Sequence, residues 1–330
     1  MKNFADRLLA AIEDKGAPVC VGLDPVWGWV PAEVRDFFEQ DQCEHEPGSD
    51  EEEGCESCGD EPQARKAAAI VTYCDEVLEI VAPRVPAVKI NIAFFEAHGP
   101  AGVLAYSEVV RAALERDLVV IGDVKRGDIG HTSEHYAAAH LREDPEAAEH
   151  PRPDAVTVNP YFGVDGVAPF LDAARGEGKG VFILAQTSNK SATQVQGLKL
   201  ADGRTVREAV AGLIHGWACG PGLLGKGGYS AVGAVVSPTD RDSTLRLREL
   251  MPNCFFLVPG WGAQGQTGAD AAACFNRDGR GAIVTSSRGV MFPWTAARGE
   301  AEAPSDWRGA IQSACDGFVR DVRSALPGRV

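Results

Sequence analysis

Eight short apolar runs, rich in β-branched residues, recur along this chain and constrain its fold more than any other feature. They cover 19–23, 87–91, 118–123, 155–159, 181–186, 232–237, 255–259 and 282–286. Between them lie stretches with helical periodicity, among them 64–81, 107–116, 166–175, 206–217 and 243–250. Strand runs alternating with helices imply βαβ units, because a parallel return requires a crossover. Runs that are apolar throughout belong to strands buried on both faces. Eight such units predict an α/β protein, a single-domain (β/α)8 (TIM) barrel over residues 1–330, with a doubly wound open sheet as the structural alternative.

The runs end in polar or Gly/Pro clusters. Examples are GLDP (22–25), KIN (89–91), DVKRGD (123–128), VNPYFG (158–163), AQTSNKS (185–191), VSPTD (236–240), PGWGAQGQ (259–266) and TSSRG (285–289). In a barrel all of these fall on the C-terminal rim, where active sites are built. The sharpest is DVKRGD. Asp123 and Lys125 are two apart at a strand end, so their side chains share a side. Gly127 permits a tight turn before Asp128, and Lys89 closes the preceding strand run. Two ammoniums and two carboxylates can alternate here, each favouring its neighbours' charged forms. A lysine so placed stays protonated and is a proton donor rather than a Schiff-base nucleophile. The structural alternative is an ion pair tying loop to barrel.

A second constellation is a phosphate cup. The Gly-rich loop 259–268 follows the seventh run and TSSRG the eighth, the two loops where barrels frequently hold a phosphate. Gly260, Gly262 and Gly265 let backbone N–H groups approach an anion, and Arg288 offers a bidentate contact. Flexible loops with a surface arginine are the alternative. Residues 220–226 match G-x-x-x-x-G-K, but Gly227 stands where a hydroxyl is required and the run follows a helical pattern, so a P-loop is rejected. The seven histidines are scattered; His98 and His131 fall near the expected rim. No metal site emerges from them.

Residues 41–61 stand apart, with ten acidic residues and no Lys or Arg. Without this block the net charge of -15 becomes -5. Such a block repels itself and buries little apolar surface, so it reads as a surface insertion. It holds Cys43, His45, Cys55 and Cys58; their spacing fits a solvated loop with incidental thiols better than a zinc site. The acidic balance disfavours nucleic-acid and anionic-membrane partners. No run approaches the roughly 20 apolar residues of a membrane span. Residues 1–16 read as an amphipathic helix rather than a signal peptide. The expectation is a cytoplasmic protein with reduced thiols.

Taken together, VGLDP (21–25), KINIAFFEAHG (89–99), DVKRGDIGHT (123–132), TVNPYFG (157–163), PGWGAQGQ (259–266) and TSSRG (285–289) resemble, in this order, the orotidine 5'-phosphate decarboxylase family. VGLDP and AFFE resemble its bacterial branch of longer chains. The resemblance implies decarboxylation of orotidine 5'-phosphate to UMP, in pyrimidine biosynthesis, without metal or other cofactor. It implies that Lys125 protonates C6 of the pyrimidine, that Asp123 faces the substrate carboxylate, and that Lys89 holds the charge array and touches the ribose. Asp24 would bind a ribose hydroxyl and Ser188 the pyrimidine edge. Gln264, with Gly265 beside it, and Arg288 would grip the phosphate. Asp128 and Thr132 would come from the other subunit of a homodimer with shared sites. The acidic insertion departs from the family pattern, as does Thr187, where relatives often carry Met. Two rivals stand: a Mg2+-dependent sugar-phosphate decarboxylase or lyase of the same barrel group, and a non-catalytic binding protein acting through the insertion.

Overall fold

The structure, a computed structural model, describes residues 2–39, 62–147, 150–262, 265–295 and 302–326. The acidic insertion 41–61, with its Cys and His residues, lies outside the described residues, between α2 (Ala32–Glu39) and α3 (Pro62–Val81).

Among the described residues, β1 (Val19–Leu23), β2 (Ala87–Asn91), β3 (Val119–Arg126), β4 (Ala155–Val158), β5 (Gly180–Gln186), β6 (Ser230–Val236), β7 (Cys254–Val258) and β8 (Ala282–Ser286) close a barrel. Each strand pairs in parallel with the next, and β8 closes on β1. The eight expected runs are these eight strands, with ends shifted by three residues or fewer. The open-sheet alternative is excluded by the β1–β8 pairing.

The helices form for readable local reasons. In α1 (Phe4–Lys15), Asn3 caps the N-terminus through its side chain and left-handed Gly16 ends the helix. Its buried Phe4, Leu8 and Leu9 plug the N-terminal end of the barrel, Phe4 standing edge-on to Phe182 at 5.9 Å. A Cβ on Gly180 would lie 2.3 Å from the Phe4 ring, so that strand must begin with glycine. A full capping box of Thr205 and Glu208 starts α8 (Val206–Ala218). The remaining layer is α4 (Ala93–Glu96), α5 (Gly99–Leu114), α6 (Gly130–His140), α7 (Val164–Glu177), α9 (Arg241–Leu250), α10 (Gly268–Ala271), α11 (Arg288–Met291) and α12 (Trp307–Ser324). Fully burying one such side chain as Phe182 or Phe256 contributes about 1.5–3 kcal/mol, and the core contains dozens of apolar groups of this kind.

The rejected P-loop match lies between α8 and β6. Its Lys226 and Gly227 amides donate to the Asp6 carboxylate at 2.9 and 2.8 Å. That loop is tied to α1 rather than open to an anion. No described helix is long and apolar enough to cross a membrane.

Candidate active site

Most buried polar side chains of the strands lie toward their C-terminal ends: Lys89, Asp123, Thr157, Gln186, Thr285 and Ser286. Lys89 Nζ donates to Asp123 Oδ2 at 2.8 Å and to Asp24 Oδ1 at 3.4 Å. Lys125 Nζ donates to Asp123 Oδ1 at 2.5 Å, and the Thr157 hydroxyl donates to the same oxygen at 2.8 Å. The result is a charge array running Asp24, Lys89, Asp123, Lys125. Burial alone would raise the Asp123 carboxyl, but the Lys89 and Lys125 ammoniums override it and hold it well below the usual carboxylate range. Burial alone would lower Lys89, but the Asp24 and Asp123 carboxylates hold it above the usual lysine range. Both groups are therefore ionised at neutral pH. Lys125 differs in being half exposed, with its charge facing the opening.

The backbone at Lys125 is strained. Its φ is 46°, in the left-handed region that a long side chain seldom occupies. Such a conformation costs on the order of 1–3 kcal/mol and persists only where the surroundings impose it. Here β3 bulges against β4: Gly122 pairs with Val156, and the next pair is Arg126 with Val158. Lys125 N donates to Thr157 Oγ1 at 3.0 Å, which ties the bulge to β4.

Two adjoining cavities open at this array. One of about 170 Å3 is lined by Lys89, Asp123, Lys125, Leu184, Thr187 and Ser188, among others. The other, of about 410 Å3, runs from Asp24 and Lys89 to Gly260, Trp261, Ser287 and Arg288. Gly22 is required beside it, because a Cβ there would lie 1.9 Å from Ser287 Oγ. The Gly-rich loop is anchored at both ends by Asp321 of α12, whose Oδ2 accepts from Trp261 Nε1 at 2.6 Å and Gly268 N at 2.7 Å. Gly262 and Gly265 have positive φ, of 72° and 78°, which the turn needs. Thr187 is tied into the loop after β5, its hydroxyl accepting from Gln196 Nε2 at 2.7 Å.

Of the residues expected at the site, Lys125, Asp123, Lys89, Asp24, Ser188 and Arg288 line one of these two cavities. Gly265 sits exposed on the loop, and Gln264 lies outside the described residues. Asp128 does not join the array within one chain. Its carboxylate accepts from Ile129 N at 2.8 Å on the rim, so the second carboxylate beside Lys89 is Asp24. Thr132 is exposed on α6. His131 is exposed beside Glu134, and neither it nor His98 lines the two cavities. Sequence reasoning missed Thr157, Asn91, Trp29 and Phe94. Thr157 was signalled by a lone hydroxyl inside an apolar strand run, Asn91 by its strand-end position and Phe94 by its place in the AFFE motif; Trp29 carried no local signal. Among the described residues, no three His, Cys, Asp or Glu side chains are grouped to hold a metal ion.

A profile of the family described as "Orotidine 5'-phosphate decarboxylase / HUMPS" matches residues 18–292, a span that contains all eight strands and both cavities. The chain belongs to this family. It is 36% identical over 315 residues to an orotidine 5'-phosphate decarboxylase of Rhodopirellula baltica, covering 95% of this chain and 97% of that one. It is 35% identical to the Clostridium acetobutylicum enzyme of the same name, covering 88% and 89%. Its fold is similar to that of Leishmania donovani OMP decarboxylase, with a TM-score of 0.67 and 29% identity over 98% of this chain and all of that one. The motifs quoted for the resemblance, from VGLDP to TSSRG, fall within the family match.

Proposed function

We propose that this member of the decarboxylase family converts orotidine 5'-phosphate to UMP in the cytoplasm, without metal or cofactor, and that Lys125 is the proton donor. The observation that carries the reading is the array Asp24–Lys89–Asp123–Lys125 at the mouth of the barrel, between a small cavity and a larger one that reaches the Gly-rich loop and Arg288. The pyrimidine fits the smaller cavity beside Ser188. The ribose lies near Asp24 and Lys89, and the phosphate lies against the Gly-rich loop and Arg288, Gln264 and Gly265 being the contacts that the family resemblance implies.

In the reaction the bond between C6 and its carboxylate carbon breaks and CO2 leaves. The electron pair stays on C6 and takes a proton from Lys125 Nζ, and the neutral amine regains a proton from solvent. An ammonium already held at 2.5 Å from Asp123 stabilises developing negative charge without reorganising, which is commonly the largest catalytic contribution. Asp123, kept ionised by Lys89, disfavours a second carboxylate beside it and so favours departure of CO2. Binding energy from the phosphate is directed to the reacting carbon through closure of the loop around it.

The functional unit in this reading is a homodimer. Asp128 and Thr132 stand at the rim beside exposed Ile129, Tyr161, Phe162 and Val164, an apolar patch of the kind that seeks a partner. A second copy covering this patch would bring Asp128 and Thr132 to the neighbouring site. The described cysteines are all free and mostly buried, which fits a reducing compartment.

The test is the ultraviolet absorbance change of orotidine 5'-phosphate with purified protein in EDTA, beside Lys125→Ala. The expected outcome is metal-independent turnover that falls by about 10^2–10^4-fold or more in the variant. A folded wild type without turnover, or turnover that requires Mg2+, overturns the reading.

A further inference from the structure

The strained lysine backbone is not supported by Thr157 alone. The next residue, Arg126, is held from three directions. Its Nη2 donates to Glu96 of α4, its Nε donates to His140 Nε2 at 3.3 Å, and its guanidinium lies 5.7 Å from the centre of the Tyr136 ring. Its backbone carbonyl accepts from Asn159 N at 2.9 Å. Tyr136 and His140 stack on one face of α6, with ring centres 6.4 Å apart. A guanidinium only donates, so His140 must present a bare Nε2. Burial and the neighbouring Arg126 and Arg152 charges lower that imidazole to about 4, which keeps it neutral.

These contacts join three segments that carry the site. Glu96 lies just beyond β2, which bears Lys89. Arg126 ends β3, which bears Asp123 and Lys125. Tyr136 and His140 belong to the helix that follows Asp128. We infer that Arg126 is a positioning residue: clamped by Glu96, His140 and Tyr136, it fixes the left-handed backbone of Lys125 and so aims the ammonium at the reacting carbon. The inference rests on the decarboxylase reading above. Arg126 touches neither Asp123 nor either cavity of the site, so its influence passes through Lys125.

The prediction separates this role from a merely structural one. An ion pair as exposed as Arg126–Glu96 contributes little to stability. A displacement of a reacting group by about 1 Å, however, can lower turnover about 100-fold. Steady-state kinetics and thermal melts would be measured for wild type, Glu96→Gln, Arg126→Ala, Arg126→Lys and the Glu96→Gln/Arg126→Ala double variant. The expected result is kcat lower by about tenfold in Glu96→Gln and by up to about 100-fold in Arg126→Ala. KM should stay within about threefold, because the phosphate and ribose contacts lie elsewhere. Arg126→Lys should recover part of the loss, and the double variant should be no worse than Arg126→Ala, since both changes open one clamp. Glu96→Gln should melt within about 2 °C of wild type, and it carries the test if Arg126→Ala does not fold.

An active wild type with kcat preserved in Glu96→Gln and Arg126→Ala overturns the clamp alone. So does a loss confined to KM, or two losses that multiply. A wild type that does not turn over orotidine 5'-phosphate overturns the decarboxylase reading, and the clamp with it.

Discussion

Lys89 and Arg248 are buried at opposite ends of this barrel, and they are kept in opposite ways. Lys89, 7% exposed at the C-terminal mouth, lies between two carboxylates. Arg248, 6% exposed at the other end, meets carbonyl oxygens instead: Gly281 at 2.9 Å, Cys274 at 3.3 Å, Cys254 at 2.8 Å and Met251. Its guanidinium also lies 3.9 Å from the centre of the Phe256 ring. Lys89 is driven above its ordinary range, whereas burial lowers Arg248 to about 10. Carbonyl dipoles satisfy the geometry of a guanidinium without neutralising its charge. Carboxylates neutralise the ammonium and leave a polarised cluster open to a ligand. Equal burial therefore serves two ends: Arg248 fastens α9, β7 and the start of β8, and Lys89 anchors a charge array.

The largest expected effect comes from exchanging each cation for methionine. Lys89→Met takes from Asp24 its ion pair and leaves Asp123 with Lys125 alone, and breaking a buried pair in this way is destabilising by about 3–5 kcal/mol. Turnover of orotidine 5'-phosphate should fall by roughly 10^3-fold or more, because the array that orients Lys125 is lost. Arg248→Met should leave kcat and KM within about twofold while removing about 3 kcal/mol or more of stability, since several buried carbonyls lose their donor. Melting temperature and kinetics on the two variants check this. A loss of activity in folded Arg248→Met would break the division between the two ends.

A smaller effect is expected within the array. The 3.4 Å contact of Lys89 with Asp24 is longer than its 2.8 Å contact with Asp123, and Asp24 is the more exposed carboxylate. Asp24→Asn should therefore act chiefly on binding, raising KM about tenfold with kcat changed less, as for loss of a hydrogen bond to a charged group. A kcat loss as large as that of Lys89→Met would instead make Asp24 an equal member of the array.

The same contrast shows what was legible in the sequence. The barrel was, because strands buried on both faces and alternating with helices leave few arrangements open. The array was legible in part. Asp123 and Lys125 are neighbours in the chain, and Lys89 closes a strand, so local spacing brought all three together. Asp24 was read through resemblance alone; its ion pair with Lys89 depends on β1 lying beside β2, a pairing between segments 65 residues apart that no local spacing shows. Asp128 was placed among the alternating charges by its nearness in sequence, but the turn at Gly127 carries it out to the rim. The Arg126 clamp draws on residues 30 positions before and 14 after, and no local pattern signals it. Arg248 was equally silent, being one arginine in a strongly charged helix.

The smallest effect separates the two modes of burial by pH. Lys89 is raised in the fold, so its contribution is complete below the ordinary lysine pKa and is lost only as pH rises through the higher folded value. Arg248 runs the other way: its folded value of about 10 lies below the ordinary 12.5, so burying its charge opposes folding at neutral pH. Asp123 is depressed from 3.8, so its contribution is present above that pH and is lost as pH falls through its lower folded value. Between pH 5 and pH 3 the unfolded chain takes up this proton while the folded chain does not. Wild type should therefore lose about 1 kcal/mol more stability over that interval than Asp123→Asn. Urea unfolding of both proteins at the two pH values measures the difference, with the other carboxylates contributing to each slope alike. Equal slopes would mean that Asp123 is protonated in the fold as readily as in the open chain. Lys89 and Lys125 would then do no more than offset the cost of burying the Asp123 charge.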